Sequence, residues 1–235
     1  MKKIISLQFS RAVEKYEKEI IVQQESAQEI KKLIKDINGL GIDLGCGTGI
    51  INQITEKKLI GIDISPDMIE RFVQKNNIGI VADIENIPFK NESFDFAVSN
   101  FSLHWTTLKK SIPEVYRILK PKGTFIFSIP TKNSLQIIKQ SLGQEIFPFY
   151  EKEKIKNITA YYFHIEKLFL KNYQIKFKNH IELLKHLKNT GTTTTTNGKT
   201  LGKKIQNYKK LIHSKQKPIL NFEVLFIKAT KINTI

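Results

Sequence analysis

Nine residues from Gly41 to Gly49, reading Gly-Ile-Asp-Leu-Gly-Cys-Gly-Thr-Gly, constrain this chain more than any other stretch. An apolar run ends in an acid and passes into glycines at 45, 47 and 49, followed by the apolar start of a helix. Without Cβ atoms in the way, the backbone N–H groups of such a turn approach a ligand closely. A strand, a glycine turn and a helix in that order open a doubly wound α/β sheet. The spacing is G-x-G-x-G rather than the dinucleotide G-x-G-x-x-G, and no Gly-Lys-Ser/Thr follows to hold phosphates. By itself the segment is either a nucleotide-type cofactor loop or an ordinary glycine turn.

The eighty residues after the glycines decide the fold class. Short apolar runs at 59–64, 78–82, 94–99 and 124–129 read as strands, and the segments between them read as helices. Alternation of this kind makes parallel βαβ units. Ser65-Pro66 supplies a cap and a first-turn proline for a helix over 67–75, and Pro113 is expected to open another over 114–119. Lys120 to Gly123 reads as a turn. Upstream, apolar residues recur at near-helical spacing from Ser10 to Ile37, an amphipathic arm ended by Asn38-Gly39. Downstream come a helix over 133–142, an aromatic segment Phe147 to Tyr150, a lysine-rich helix, strands at 168–177 and 220–228, a helix near 181–188 and a low-complexity run 191–196. No internal repeat is visible. A length of 235 residues suits one α/β domain: an arm over 1–38, a cofactor half over 39–130, and insertions with the last two strands over 131–235.

Three carboxylates sit at successive strand ends. Asp43 precedes the glycines, Asp63 ends the next strand where a doubly wound fold presents an acid to ribose hydroxyls, and Asp83 ends the third, in Val-Ala-Asp-Ile-Glu-Asn-Ile-Pro-Phe. There Asp83 can accept from an exocyclic adenine amine while Ile64 and Ile84 sandwich the ring. Any one of them alone is equally a helix cap or a solvated loop residue; the series after a glycine loop points to a cofactor.

The run DLGCGTG, GIDIS, ADIENIPF and FDFAVSNFSLHW, over about residues 40–130, resembles the class I S-adenosylmethionine-dependent methyltransferases. The resemblance implies a Rossmann-like, mostly parallel seven-stranded sheet with helices on both faces, an N-terminal helical arm and a helical region inserted after the fifth strand. It also implies S-adenosylmethionine as cofactor, with Asp43, Gly45, Cys46, Gly47, Thr48 and Gly49 at its methionine part and Asp63 at the ribose. Asp83, with Ile64, Ile84 and Glu85, takes the adenine role, and Met68, Asn100, Phe101 and Trp105 complete the expected site.

Beyond that half, three stretches look like the malonyl-acyl-carrier-protein O-methyltransferases of biotin synthesis: FSRAVEKYEKEIIVQQESA with Phe9, Arg11, Ala12 and Tyr16, then SNFSLHW, then LKNTGTTTT with a final strand. The third departs from the family, which has a more apolar pair before its second glycine. This resemblance implies a malonyl-loaded acyl carrier protein, or malonyl-CoA, as the acceptor's source. A carboxylate is already ionised at neutral pH, so its attack on a methyl carbon needs positioning and a water-poor pocket rather than a general base. Tyr16, Phe101, His104 and Trp105 are candidate walls; Lys188 or Lys185 are candidates to steer the malonyl charge. His104 is open between a hydrogen bond to the acceptor and a plain buried role, and Phe147 to Tyr150 between lining the acceptor's path and core.

Thirty-eight basic residues against 22 acids give a formal charge of +16, and all but Arg11, Arg71 and Arg117 of the basic ones are lysine. The sign favours an acidic partner such as a carrier protein; a solvated lysine surface from a biased genome explains it equally. No arginine stripe marks a nucleic-acid face, no apolar run is long enough to span a bilayer, and a lone Cys46 fits a cytoplasmic chain. The five histidines form no ligand cluster with Cys46, so no metal is expected. Oligomeric state is not legible. Rival readings are a small-acid methyltransferase of quinone synthesis, a methyltransferase-like protein-assembly factor, and a basic RNA-binding protein.

Overall fold

A computed structural model describes residues 6–7, 19–142, 149–189, 212 and 216–232. Its elements, in chain order, are α1 (Ile21–Ile34), β1 (Gly41–Leu44), α2 (Ile50–Ile54), β2 (Leu59–Asp63), α3 (Pro66–Val73), β3 (Ile78–Val81), β4 (Phe94–Asn100), a 3-10 turn (Leu103–Trp105), α4 (Leu108–Ile118), β5 (Leu119–Pro130), α5 (Gln136–Leu142), α6 (Lys152–Tyr162), β6 (Phe163–Lys176), α7 (His180–Asn189) and β7 (Ile219–Lys231). One seven-stranded sheet has the order β3-β2-β1-β4-β5-β7-β6. Its neighbours from β3 to β5 run parallel, whereas β7 is antiparallel to both β5 and β6.

Strand alternation sorts the core into two layers. Phe96, Val98, Ile126, Val224 and Phe226 point to the face covered by α1, α2, α5 and α7, through side chains such as Ile30, Ile51, Ile138 and Leu183. Ala97, Phe125, Phe127, Leu225 and Ile227 point to the other, covered by α4 and α6 through Ile112, Val115 and Ile155. Near the sheet's edge, α3 seats Phe72 where glycine leaves room: a Cβ on Gly61 would stand 2.5 Å from its ring, and one on Gly49 2.9 Å. The helix starts as its sequence signals require, with Ser65 Oγ accepting from Met68 N at 3.3 Å and proline in the first turn.

Several expected boundaries move. Helix α4 begins at Leu108 and carries Pro113 inside it, because the buried stripe Leu108, Ser111, Ile112, Val115 extends upstream of the proline. Packing of that stripe outweighs the lost backbone bond. The turn expected over Lys120 to Gly123 lies within the span of β5: pairing jumps from Phe94↔Leu119 to Phe96↔Thr124, with Lys122 at φ 61°. Strand β6 starts at Phe163, five residues early, since α6 ends at Tyr162 and the chain enters the sheet directly. Asp83 stands two residues past the end of β3. Of the arm expected over Ser10 to Ile37, the described helix is Ile21–Ile34; Phe9, Arg11, Ala12 and Tyr16 lie outside the described residues, as do Phe147 and the run 191–196. Among the described residues no helix is long and apolar enough to cross a membrane.

Candidate cofactor and acceptor site

The parallel strands end on one side of the sheet, and there the loops after β1, β2, β3 and β4 enclose a cavity of about 910 Å³, counting space open at its mouth. Binding at such strand ends is the rule for open α/β sheets. The glycine loop begins with Gly45 at φ 72°, and a Cβ there would lie 2.3 Å from Ser102 Oγ. Gly47, at φ 52°, faces open space instead, so its glycine serves backbone conformation and leaves the main chain bare toward a ligand.

Asp63 holds this loop. Its carboxylate accepts from Gly47 N at 3.0 Å and from Ser65 N at 2.9 Å, tying the first and second strand-end loops together. Burial raises its pKa, against the pull of those amides. Asp43 is 2% exposed, lines the cavity, and keeps one carboxyl oxygen, Oδ2, without a hydrogen-bond partner. Burial, and then the charge of Asp63, push its pKa up to about 8. A carboxyl group in that setting takes a cationic or hydrogen-donating ligand that lets it ionise. Thr48 Oγ1 is likewise buried, partnerless and on the lining. On the third loop, Asp83 Oδ1 accepts from Glu85 N at 2.9 Å, and Ile64, Met68, Ala82 and Ile84 give that end apolar walls. Arg117 fixes the same loop from behind, donating to the Ile87 and Phe89 carbonyls at 2.8 and 2.7 Å.

The structure therefore brings Asp43, Gly45, Cys46, Gly47, Thr48, Asp63, Ile64, Met68, Asp83, Ile84, Asn100, Phe101 and Trp105 to one cavity. Gly49 and Glu85 do not line it. Gly49, at φ 89°, turns the chain into α2, and Glu85 Oε1 accepts from Thr107 N at 2.7 Å. Asn100 reaches the cavity with its amide already engaged: Oδ1 receives the Ser26 and Ser128 hydroxyls at 2.8 and 2.7 Å, and Nδ2 donates to Gln23 O at 2.9 Å. That network fastens α1 to the ends of β4 and β5.

His104 is not on the lining. The 3-10 turn buries Leu103 and His104 together, and the imidazole rests against Phe101, Trp105 and Phe149, with ring centres 6.4, 5.1 and 5.5 Å away. Burial lowers its pKa to about 3, so it is neutral across the physiological range. It backs the aromatic wall made by Phe101 and Trp105 rather than forming it. Tyr16 lies outside the described residues, and of Lys188 only the backbone, in α7, is described. Lys185 is exposed on the same helix. Sequence reasoning missed Gln23, Ile50, Ile51, Ser102 and Thr106, which also line the cavity. Among the described residues no group of three or more His, Cys, Asp or Glu could hold a metal ion.

The donor set fits S-adenosylmethionine: a buried acid with an unpartnered oxygen toward a cationic ligand, an acid beside apolar walls toward an adenine, and bare glycine backbone between them. Comparison with known proteins agrees. Residues 42–127 match the model of a methyltransferase domain. The chain is 30% identical over 213 residues, 86% of its length and 79% of the relative's, to a malonyl-[acyl-carrier protein] O-methyltransferase of Yersinia pestis. It is 36% identical over 110 residues, 44% of its length but 32% of the relative's, to the human mitochondrial arginine-hydroxylase NDUFAF5. Among solved structures, the YcgJ protein of Bacillus subtilis superposes with a TM-score of 0.68 at 16% identity, covering 89% of this chain and 99% of that one, a likeness of fold.

Proposed function

We propose, given that the chain belongs to the class I S-adenosylmethionine-dependent methyltransferases, that it methylates the free carboxylate of a malonyl thioester borne on an acyl carrier protein. This would be an early step toward the pimeloyl part of biotin, carried out in the cytoplasm. The observation that carries the reading is extent: similarity to the Yersinia enzyme runs well beyond the cofactor half, whereas similarity to the arginine hydroxylase spans a third of that protein.

Bound in the cavity, S-adenosylmethionine supplies a methyl group on a positively charged sulfur. The chain's own residues bind, orient and exclude water. In this reading Asp43 gives up its proton to meet the ligand's ammonium, Asp63 shares its carboxylate between the loop amides and the ribose, and Asp83 accepts from the adenine amine between Ile64 and Ile84. Phe101 and Trp105, backed by neutral His104, keep water from the reacting end, where an ionised acceptor needs alignment and a weakly polar surrounding rather than a base. In this reading residues 1–38 serve as the arm of the enzyme, with Tyr16 outside the described residues and Gln23 of α1 on the cavity lining. Residues 131–235, with Lys185 and Lys188, form the acceptor side. The surplus of lysine favours docking of an acidic carrier.

The test is incubation with methyl-labelled S-adenosylmethionine and malonyl-loaded carrier protein. A base-labile methyl ester on the carrier is expected. Transfer to a free small acid or to a protein arginine in place of the carrier would overturn the reading.

A further inference from the structure

The cavity has an unbalanced lining. It holds three carboxylates, Asp43, Asp63 and Asp83, and among the described residues no lysine, arginine or histidine. Yet a carboxylate has to enter it, because the amino-acid part of the methyl donor carries one and the proposed acceptor carries another. On the described lining a carboxylate meets only neutral hydrogen-bond donors, and leaving it without them in a partly dry site is costly.

Most neutral donors on the lining are already engaged. Asn100 Nδ2 donates to Gln23 O, Ser102 Oγ to Gly45 O at 3.0 Å, and Thr106 Oγ1 to Leu103 O at 2.8 Å. Two groups remain. Thr48 Oγ1 is buried and partnerless. The Gln23 carboxamide, on the cavity side of α1, bonds to no other described group, although its main-chain carbonyl is pinned by Asn100. Helix α1 is itself locked in place by Ser26 on Asn100 and Ser128, so Gln23 is a free donor on a fixed mount.

We infer that Gln23 is a binding residue whose side-chain N–H receives a carboxylate in the cavity, with the Thr48 hydroxyl as its companion. This rests on the methyltransferase reading above. The carboxylate belongs either to the amino-acid end of the donor or to the acceptor, and the experiment separates the two.

Gln23→Glu keeps the size and the main-chain bond to Asn100 while setting like charge against the ligand; Gln23→Ala removes the donor alone. Thermal melting checks that both variants fold. Affinities for S-adenosylhomocysteine, which has the amino-acid carboxylate, and for 5′-methylthioadenosine, which lacks it, are measured by calorimetry, and KM is measured for malonyl-loaded carrier. A fall of roughly ten- to a hundred-fold for S-adenosylhomocysteine, with methylthioadenosine unchanged, supports the donor's carboxylate. Unchanged nucleoside binding with KM for the carrier raised about ten-fold supports the acceptor's. If both nucleosides weaken together, or nothing changes, the inference is overturned. A wild-type protein that fails to bind S-adenosylhomocysteine would instead overturn the methyltransferase reading beneath it.

Discussion

At the cavity two acids are held by backbone amides: Asp63 by Ser65 two residues on and by Gly47 in the preceding strand-end loop, and Asp83 by Glu85. Where the arm meets the far side of the molecule, side chains hold side chains across long stretches of sequence. Glu19 takes His186 Nδ1 at 2.6 Å and Asn189 Nδ2 at 2.9 Å, and past the end of β5 Glu223 likewise takes Thr131 and Asn133. The first region is preorganised by short turns and by one bond between neighbouring strand-end loops. The second depends on the fold being complete, so substitutions in the two regions should separate donor binding from acceptor use.

Asp43→Asn should give the largest effect. It removes the cavity's unpartnered carboxyl oxygen and should weaken S-adenosylhomocysteine by about 100-fold, the range for a lost charged hydrogen bond, measured by calorimetry. It should also stabilise the empty protein at alkaline pH. Because folding raises the Asp43 pKa to about 8 from its ordinary 3.8, the group's contribution to stability is fully present below about pH 4 and is lost as pH rises through about 8. Melting temperature against pH should therefore slope downward in the wild type and be flatter in the variant. Ligand binding should release a proton at neutral pH, visible as a dependence of the binding heat on the buffer; no such dependence would mean that Asp43 is not the group met by the cation.

Asp63→Ala comes next. Losing the acceptor for two loop amides should weaken donor binding about 10- to 100-fold, and wild-type affinity would remove Asp63 from the site. On the other side of the comparison, Glu19→Gln should cost roughly 1–2 kcal/mol of stability in denaturant unfolding and raise KM for the carrier with little change in donor affinity. An effect confined to donor affinity would break the division of labour. Lys185→Glu should be smallest, raising KM for the carrier a few-fold at low salt and not at high salt, where exposed charges are screened.

The same contrast explains what could be read in advance. Glycines at alternate positions and acids about 20 residues apart are local features, so the sheet, its strand ends and most of the cavity lining were legible. Gln23 was not: it stands among Gln24 and Glu25 on a polar helix face, and only the packing of α1 on β4 and β5 decides which of them looks inward. His104 was open between a wall, a hydrogen bond to the acceptor and a plain buried role, and the structure buries it behind the lining because Phe101 sits at φ 56° and a 3-10 turn follows. In that geometry neighbouring aromatic residues part company, two toward the ligand and one behind them. Pro113 misled for the opposite reason, a strong local signal overruled by a buried stripe.

The position of β7 bears on how the molecule is made. Strand β6 joins the sheet only through β7, which lies between it and β5 and pairs with it from Phe163↔Lys231 to Lys176↔Ile219. During synthesis from the N-terminus, β1 to β5 can assemble as they leave the ribosome, but β6 has no lane until residues 219–231 have followed it. Until then β5 presents an open edge and β6 an unpaired one, the surfaces through which nascent chains stick to one another. A nascent chain stalled before Ile219 would therefore carry a nearly finished cavity at the ends of β1 to β4 beside a β6 with nothing to pair with.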